Sequence, residues 1–143
     1  MKAVGKENLG RQKAALRRET SAMNALRMLG LHGATIDRLH LGLKQPYTPR
    51  GSDREVRTAL SYPLLSERGE ALGRYAYLNL PNVTLNPQHP RAWGPGACSE
   101  YRLGSGTGTV VISADILDLW LAWQTYSPAA DDVTFISRTA WED

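Results

Sequence analysis

The sequence predicts an α+β fold with a basic helical lobe first, an antiparallel hairpin or small sheet in the middle, and a strand-helix-strand unit last. Three observations predict it. Apolar residues recur at helical spacing between Glu7 and Leu29, two strand-like runs flank a short polar turn at Ser66 to Gly69, and Thr109 to Trp123 reads as a buried strand running straight into an amphipathic helix.

Taking the elements in order, Leu9, Leu16, Met23, Leu26 and Leu29 recur with Ala15, Ala22 and Ala25 on one helical face, and no proline interrupts them. This predicts one long amphipathic helix, ended by Gly30. Its other face carries Arg11, Lys13, Arg17, Arg18 and Arg27. A second, short helix is expected from Ala34 to Leu39, with Ile36 and Leu39 inward and Gly42 marking its exit. Residues 44 to 55, with Pro46, Pro49, Gly51 and Ser52, have the composition of an exposed loop.

Val56 to Leu64 and Leu72 to Leu80 then read as the two strands of the hairpin. Strand alternation puts Tyr75 and Tyr77 on one face of the second, and Arg74 and Ala76 on the other. Residues 81 to 98 are irregular, with Pro81, Pro87, Pro90 and Pro95 around Trp93. Glu100 to Leu103 is expected to be a short strand, and Gly104 to Gly108 a glycine spacer. The strand from Thr109 follows, then a helix whose apolar face is Ile116, Leu117, Trp120, Leu121 and Trp123, then a last strand, Val133 to Ser137. A division into residues 1–103 and 104–143 is expected.

At 143 residues and 42% hydrophobic content the chain can bury a real core. No apolar run approaches the roughly 20 residues that cross a bilayer, and the basic N-terminus lacks a following apolar segment, so a cytoplasmic protein without membrane contact is expected. The single cysteine, Cys98, agrees with a reducing compartment. Charge is uneven: residues 1–57 carry twelve Lys and Arg against five acids, and residues 58–143 five against nine. The first half is therefore the side for a polyanion. A solvated helix and loop surface accounts for the same charges equally well.

The residues that carry chemistry elsewhere are sparse. The glycine spacer matches Gly-x-Gly-x-Gly but precedes a strand, whereas a phosphate loop follows a strand and opens a helix. His32, His40 and His89 stand at no metal-ligand spacing with one another or with Cys98. Ser113 lacks the flanking glycines of a nucleophile elbow, and reads as a helix N-cap with Asp115 complementing the helix dipole. Asp115 and Asp118, three apart, share one side of the first helical turn, but no further acidic cluster stands on a neighbouring strand. No metal, cofactor or catalytic residue is expected.

Four segments taken in order resemble the RNA polymerase domain of bacterial and phage-type DNA primases, from its basic N-terminal lobe into the first part of the Toprim fold. Leu29 to Leu43 is similar to the helical stretch that ends in Leu-Gly, and Ser61 to Gly73 to the strand, turn and glycine-marked return strand. Val110 to Asp118 falls where Toprim proteins carry an apolar strand followed by Glu-Gly-x-x-Asp, and Val133 to Ala140 resembles the next Toprim strand. The final unit is thus expected to be a partial, degenerate Toprim-like β-α-β. Ser113 stands where the family has its catalytic glutamate, Ala114 replaces the glycine, Leu117 takes the acidic position, and Asp118 comes one residue late. No Asp-x-Asp strand for magnesium follows within these residues.

Nucleotidyl transfer needs metal ions to neutralise phosphate charge, and so needs those missing acids. Binding a single strand needs only cations and stackable rings. The resemblance therefore implies a non-catalytic primase-like protein that binds single-stranded DNA or RNA in the DNA replication of a mobile element or phage, with a helicase or other replication protein as a further partner. Lys13, Arg17, Arg18, Lys44, Arg50, Arg54 and Arg74 are the candidates for phosphate contacts, and Tyr75, Tyr77 and Trp93 for stacking. Two alternatives stay open: an active primase fragment completed by another chain, and an adaptor that docks on a replication protein.

Overall fold

The computed structural model describes residues 2–44, 51, 59–79, 100–104, 108–113, 115–126 and 133–137, with side chains from residue 9 onward. The expected long helix is two helices, α1 (Lys2–Arg18) and α2 (Thr20–Met28), broken at Glu19, whose backbone is extended. Tertiary packing explains the break. In one continuous helix Leu16 and Leu26 would stand about 80° apart around the axis; bent at Glu19, both are buried in the same core. Gly30 does end the run. Its positive φ of 104° lets Gly30 N–H bond the Arg27 carbonyl and Leu31 N–H the Leu26 carbonyl, which closes the last turn of α2.

The short helix α3 (Gly33–Arg38) buries Ile36, and Leu39 at its C-cap is buried too. Its exit is not Gly42 but His40, which makes the same left-handed turn at φ 56°. Gly42 instead opens a strand absent from the sequence reading, β1 (Gly42–Lys44). There a Cβ would stand 2.8 Å from the backbone carbon of Gln12, so α1 can lie against β1 only over a glycine.

The strands β1, β2 (Ala59–Leu65) and β3 (Ala71–Leu78) form an antiparallel sheet with β2 in the middle. Pro63 sits in this central strand, which a proline tolerates only beside an irregularity. The β2–β3 register does slip between Pro63 and Leu65. Gly42, Ser61 and Tyr77 lie in one cross-strand row and Pro63 pairs with Tyr75, so these side chains share the face that α1 covers. The opposite face, with Leu43, Leu60, Tyr62 and Ala76, turns to the core.

A second sheet has the order β4-β6-β5, from β4 (Tyr101–Leu103), β5 (Thr109–Ser113) and β6 (Val133–Ser137). β4 is antiparallel to β6, whereas β5 runs parallel to it across helix α4 (Ile116–Tyr126). Tyr101 to Leu103 therefore belongs with the C-terminal strands and not with the hairpin. β6, in the centre, is buried from Thr134 to Ser137. β5 is not the buried strand its composition predicts: it lies at the edge, with Val110 51% and Ile112 53% exposed. The two sheets meet in an aromatic cluster in which Tyr62 stands edge-on to Tyr101 and to Trp120, each at 5.4 Å between ring centres. Trp120 donates its indole N–H to the Tyr101 hydroxyl at 3.1 Å. Among the described residues no helix is long and apolar enough to cross a membrane.

Candidate nucleic-acid interface

The cationic residues gather best around the exit of α3. Lys13, on α1, places its ammonium 3.1 Å from His40 Nδ1, and His40 Nε2 lies 3.2 Å from the Gly69 carbonyl in the β2–β3 turn. An ammonium can only donate, so Nδ1 accepts and the imidazole proton sits on Nε2, donated to Gly69. The His40 ring thus ties α1, α3 and the hairpin together. One helical turn after Lys13, Arg17 forms an ion pair with Asp37 of α3, and both side chains are exposed.

Beside this junction a cleft of about 420 Å³ opens between the α3 exit, the hairpin turn, the end of β4 and α4. Arg38 and Arg68 line it with His40, Ser66, Glu67 and Trp123. The Arg38 guanidinium lies over the Trp123 ring at 4.3 Å from its centre, a cation–π contact. Ser66 shapes the turn: its Oγ accepts from Arg68 N–H at 3.3 Å and from Glu70 N–H at 3.1 Å, while Ser66 N–H bonds the Glu70 carbonyl. Arg38 and Arg68 were not anticipated from the sequence. Arg38 adjoins a predicted helix end and Arg68 a predicted polar turn, where a solvated charge is the ordinary reading.

The other expected cations among the described residues, Arg18, Lys44 and Arg74, do not share this groove. Arg18 is exposed at the C-terminus of α1, where it and Arg17 complement the helix dipole. Lys44 is half-buried and pairs with Ala59, whereas exposed Arg74 lies past the Pro63–Tyr75 pair, about 17 Å further along the sheet at the usual rise per residue. Tyr75 and Tyr77 are half-buried on the face that α1 covers, and burial raises the Tyr75 phenol above its ordinary value. Arg50, Arg54 and Trp93 lie outside the described residues, as does the proline-rich stretch around Trp93.

The strand-to-helix turn is occupied by local bonds. Asp115, not Ser113, caps α4: its Oδ1 accepts from Leu117 N–H at 2.9 Å and its carbonyl accepts from Leu119 N–H. Ser113 Oγ donates to the Asp115 carbonyl at 2.8 Å and lies 3.2 Å from Asp115 N–H, which closes the turn. The expected cap stands two residues too early because both side chains are capping types. Asp118 is exposed in the first turn of α4, and among the described residues no three His, Cys, Asp or Glu side chains are grouped as metal ligands would be.

No family model and no curated protein sequence matches the chain. Solved structures do. A DnaG primase catalytic domain bound to ssDNA superposes with a TM-score of 0.63 at 15% identity, over 93% of this chain and 52% of that one. The DnaG catalytic core gives 0.64 at 12% identity over 93% and 53%, and the E. coli primase catalytic core 0.61 at 15% over 90% and 52%. The chain has the α+β fold of part of a primase catalytic core, and it spans about half the length of those chains.

Proposed function

We propose that this chain binds single-stranded nucleic acid in DNA replication, through the cations around the α3 exit, without itself joining nucleotides. One observation carries the reading: the fold it shares with a catalytic domain solved bound to ssDNA also brings Lys13, Arg17, Arg38 and Arg68 to one junction. The non-catalytic part is supported by the turn after β5, where the Ser113 hydroxyl and the Asp115 carboxylate are spent on backbone groups. On this reading the part of the chain before β4 supplies most of the positive charge, and β4 with the strands and helix after it forms a Toprim-like remnant. Replication of a phage or mobile element, in the cytoplasm and beside a helicase, is the setting this reading expects.

Fluorescence anisotropy with labelled single-stranded DNA tests it. If three or four of these cations neutralise phosphates, log affinity falls against log salt with a slope of about −2 to −3. Replacing Lys13 and Arg17 together by Ala should flatten that slope by about one unit or more. No binding at low salt refutes the reading, and primer synthesis with magnesium and nucleotides overturns its non-catalytic part. The exposed Val110 and Ile112 on edge strand β5 favour a second reading, a protein-binding adaptor, whose complex would form independently of salt.

A further inference from the structure

We infer that the cleft between α3, the hairpin turn and α4 is a site for a single phosphorylated nucleotide, with Arg38 as its stacking shelf and Arg68 as its phosphate ligand. The inference rests on the reading above for the class of ligand. It goes beyond that reading in assigning one nucleotide unit to a defined cleft that does not need a polymer.

The volume comes first: about 420 Å³ lies within the range of small-molecule sites and suits one base, sugar and phosphate. The inner wall is Trp123, which is itself nearly buried, so a ligand ring does not reach the indole face. It meets Arg38 instead. A guanidinium over an indole has a second face that another aromatic plane can stack on, and guanidinium is weakly hydrated, so stacking a base on it costs little desolvation.

The hairpin turn supplies the polar half. Among the described residues neither Arg38 nor Arg68 is in an ion pair, in contrast to Arg17 with Asp37 and Arg102 with Glu100. The Ser66 oxygen is used as an acceptor of two backbone N–H groups, which leaves its hydroxyl proton to donate into the cleft. The Arg68 guanidinium and the Ser66 hydroxyl proton select phosphate oxygens. Glu67, on the same turn, selects against a bare anion, because its carboxylate repels any ligand that brings only negative charge. A nucleotide answers both, since its phosphate meets Arg68 while its sugar hydroxyls or base amino group donate to Glu67. His40 contributes as wall only, its Nδ1 and Nε2 being engaged by Lys13 and Gly69.

Isothermal titration of the full chain with AMP, adenosine and inorganic phosphate tests this. AMP should bind at least about tenfold tighter than either half alone, and Arg68→Ala should weaken AMP by about tenfold or more while leaving adenosine unchanged. Arg38→Lys keeps the charge and removes the plane, so it should weaken AMP and adenosine together. Both positions are exposed, and circular dichroism of each variant checks that the fold is intact. AMP binding no tighter than phosphate, or indifferent to Arg68→Ala or Arg38→Lys, overturns the inference. Run beside the DNA measurement, AMP binding lost with DNA binding kept overturns this inference alone, and AMP bound without DNA binding overturns only the polymer reading. Loss of both overturns both.

Discussion

Replacing Tyr101 with Phe removes one oxygen from the centre of the protein and leaves the shape of the core intact. That oxygen accepts the indole N–H of Trp120 at 3.1 Å, and Trp120 and Tyr101 are 0% and 2% exposed. Without it the N–H has no route to water. A stranded buried donor costs about 1–3 kcal/mol, more than the net value of the hydrogen bond itself. Part of this is offset, because a phenyl ring is buried without desolvating a hydroxyl. The expected loss is therefore about 1–2 kcal/mol, or about 3–8 °C in Tm for a chain of this length. Urea denaturation followed by fluorescence should show a lower midpoint with an unchanged m-value, since the area buried barely changes. Tyr62→Phe, in the same cluster but outside this bond, should cost less. Equal or greater stability of Tyr101→Phe would refute the claim that this bond fastens α4 to β4 in the core.

Gly42→Ala should destabilise by about 1–3 kcal/mol or prevent folding, because its Cβ would overlap the Gln12 backbone; thermal melting measures it. Gln124→Leu should cost about 1 kcal/mol in urea, because the amide accepts from His32 N–H and donates to the Gly30 carbonyl, fastening α4 to the turns around α3. Burial holds the phenols of Tyr62 and Tyr101 above their ordinary value near 10, so the folded state keeps protons that the unfolded chain releases. Their contribution is complete below about pH 10 and is lost as pH rises toward the folded values, at up to about 2.7 kcal/mol per pH unit for the pair. Tyrosinate absorbance from these two should appear only with unfolding.

The elements that local pattern dictates were legible: α3 with Ile36 inward, the hairpin around Ser66 to Gly69, and the strand-helix-strand from Thr109 to Ser137. Those set by distant partners were not. The break at Glu19 follows from where Leu16 and Leu26 must both be buried, and helical spacing cannot register that. β1 is three residues long and exists only by pairing with β2, so no periodicity marks it. Composition makes β5 look buried, but an apolar strand is buried only if something covers it, and Val110 and Ile112 are exposed. The candidate site was hidden for the same reason. Lys13 and Arg17 stood out as a basic helical face, whereas Arg38 and Arg68 acquire meaning only when α3, the hairpin and Trp123 converge.

The bonds around the cleft argue that it exists before any ligand arrives. His40 occupies a left-handed backbone, a conformation that costs a side-chain-bearing residue about 1 kcal/mol or more, and its two ring bonds fix the α3 exit against α1 and the hairpin. Ser66 fixes the turn that carries Arg68, and Gln124 fixes the helix that carries Trp123. Three separate segments are each restrained by a bond that a ligand need not break, so binding there forfeits little conformational entropy. The outer face differs in kind. Arg17 must leave Asp37 to reach a phosphate, but an exposed pair is worth only about 0–1 kcal/mol, so a polyanion can displace it. The two roles thus ask different things of the surface: a preformed pocket for one nucleotide, and beside it an exchangeable basic face for phosphates of a strand.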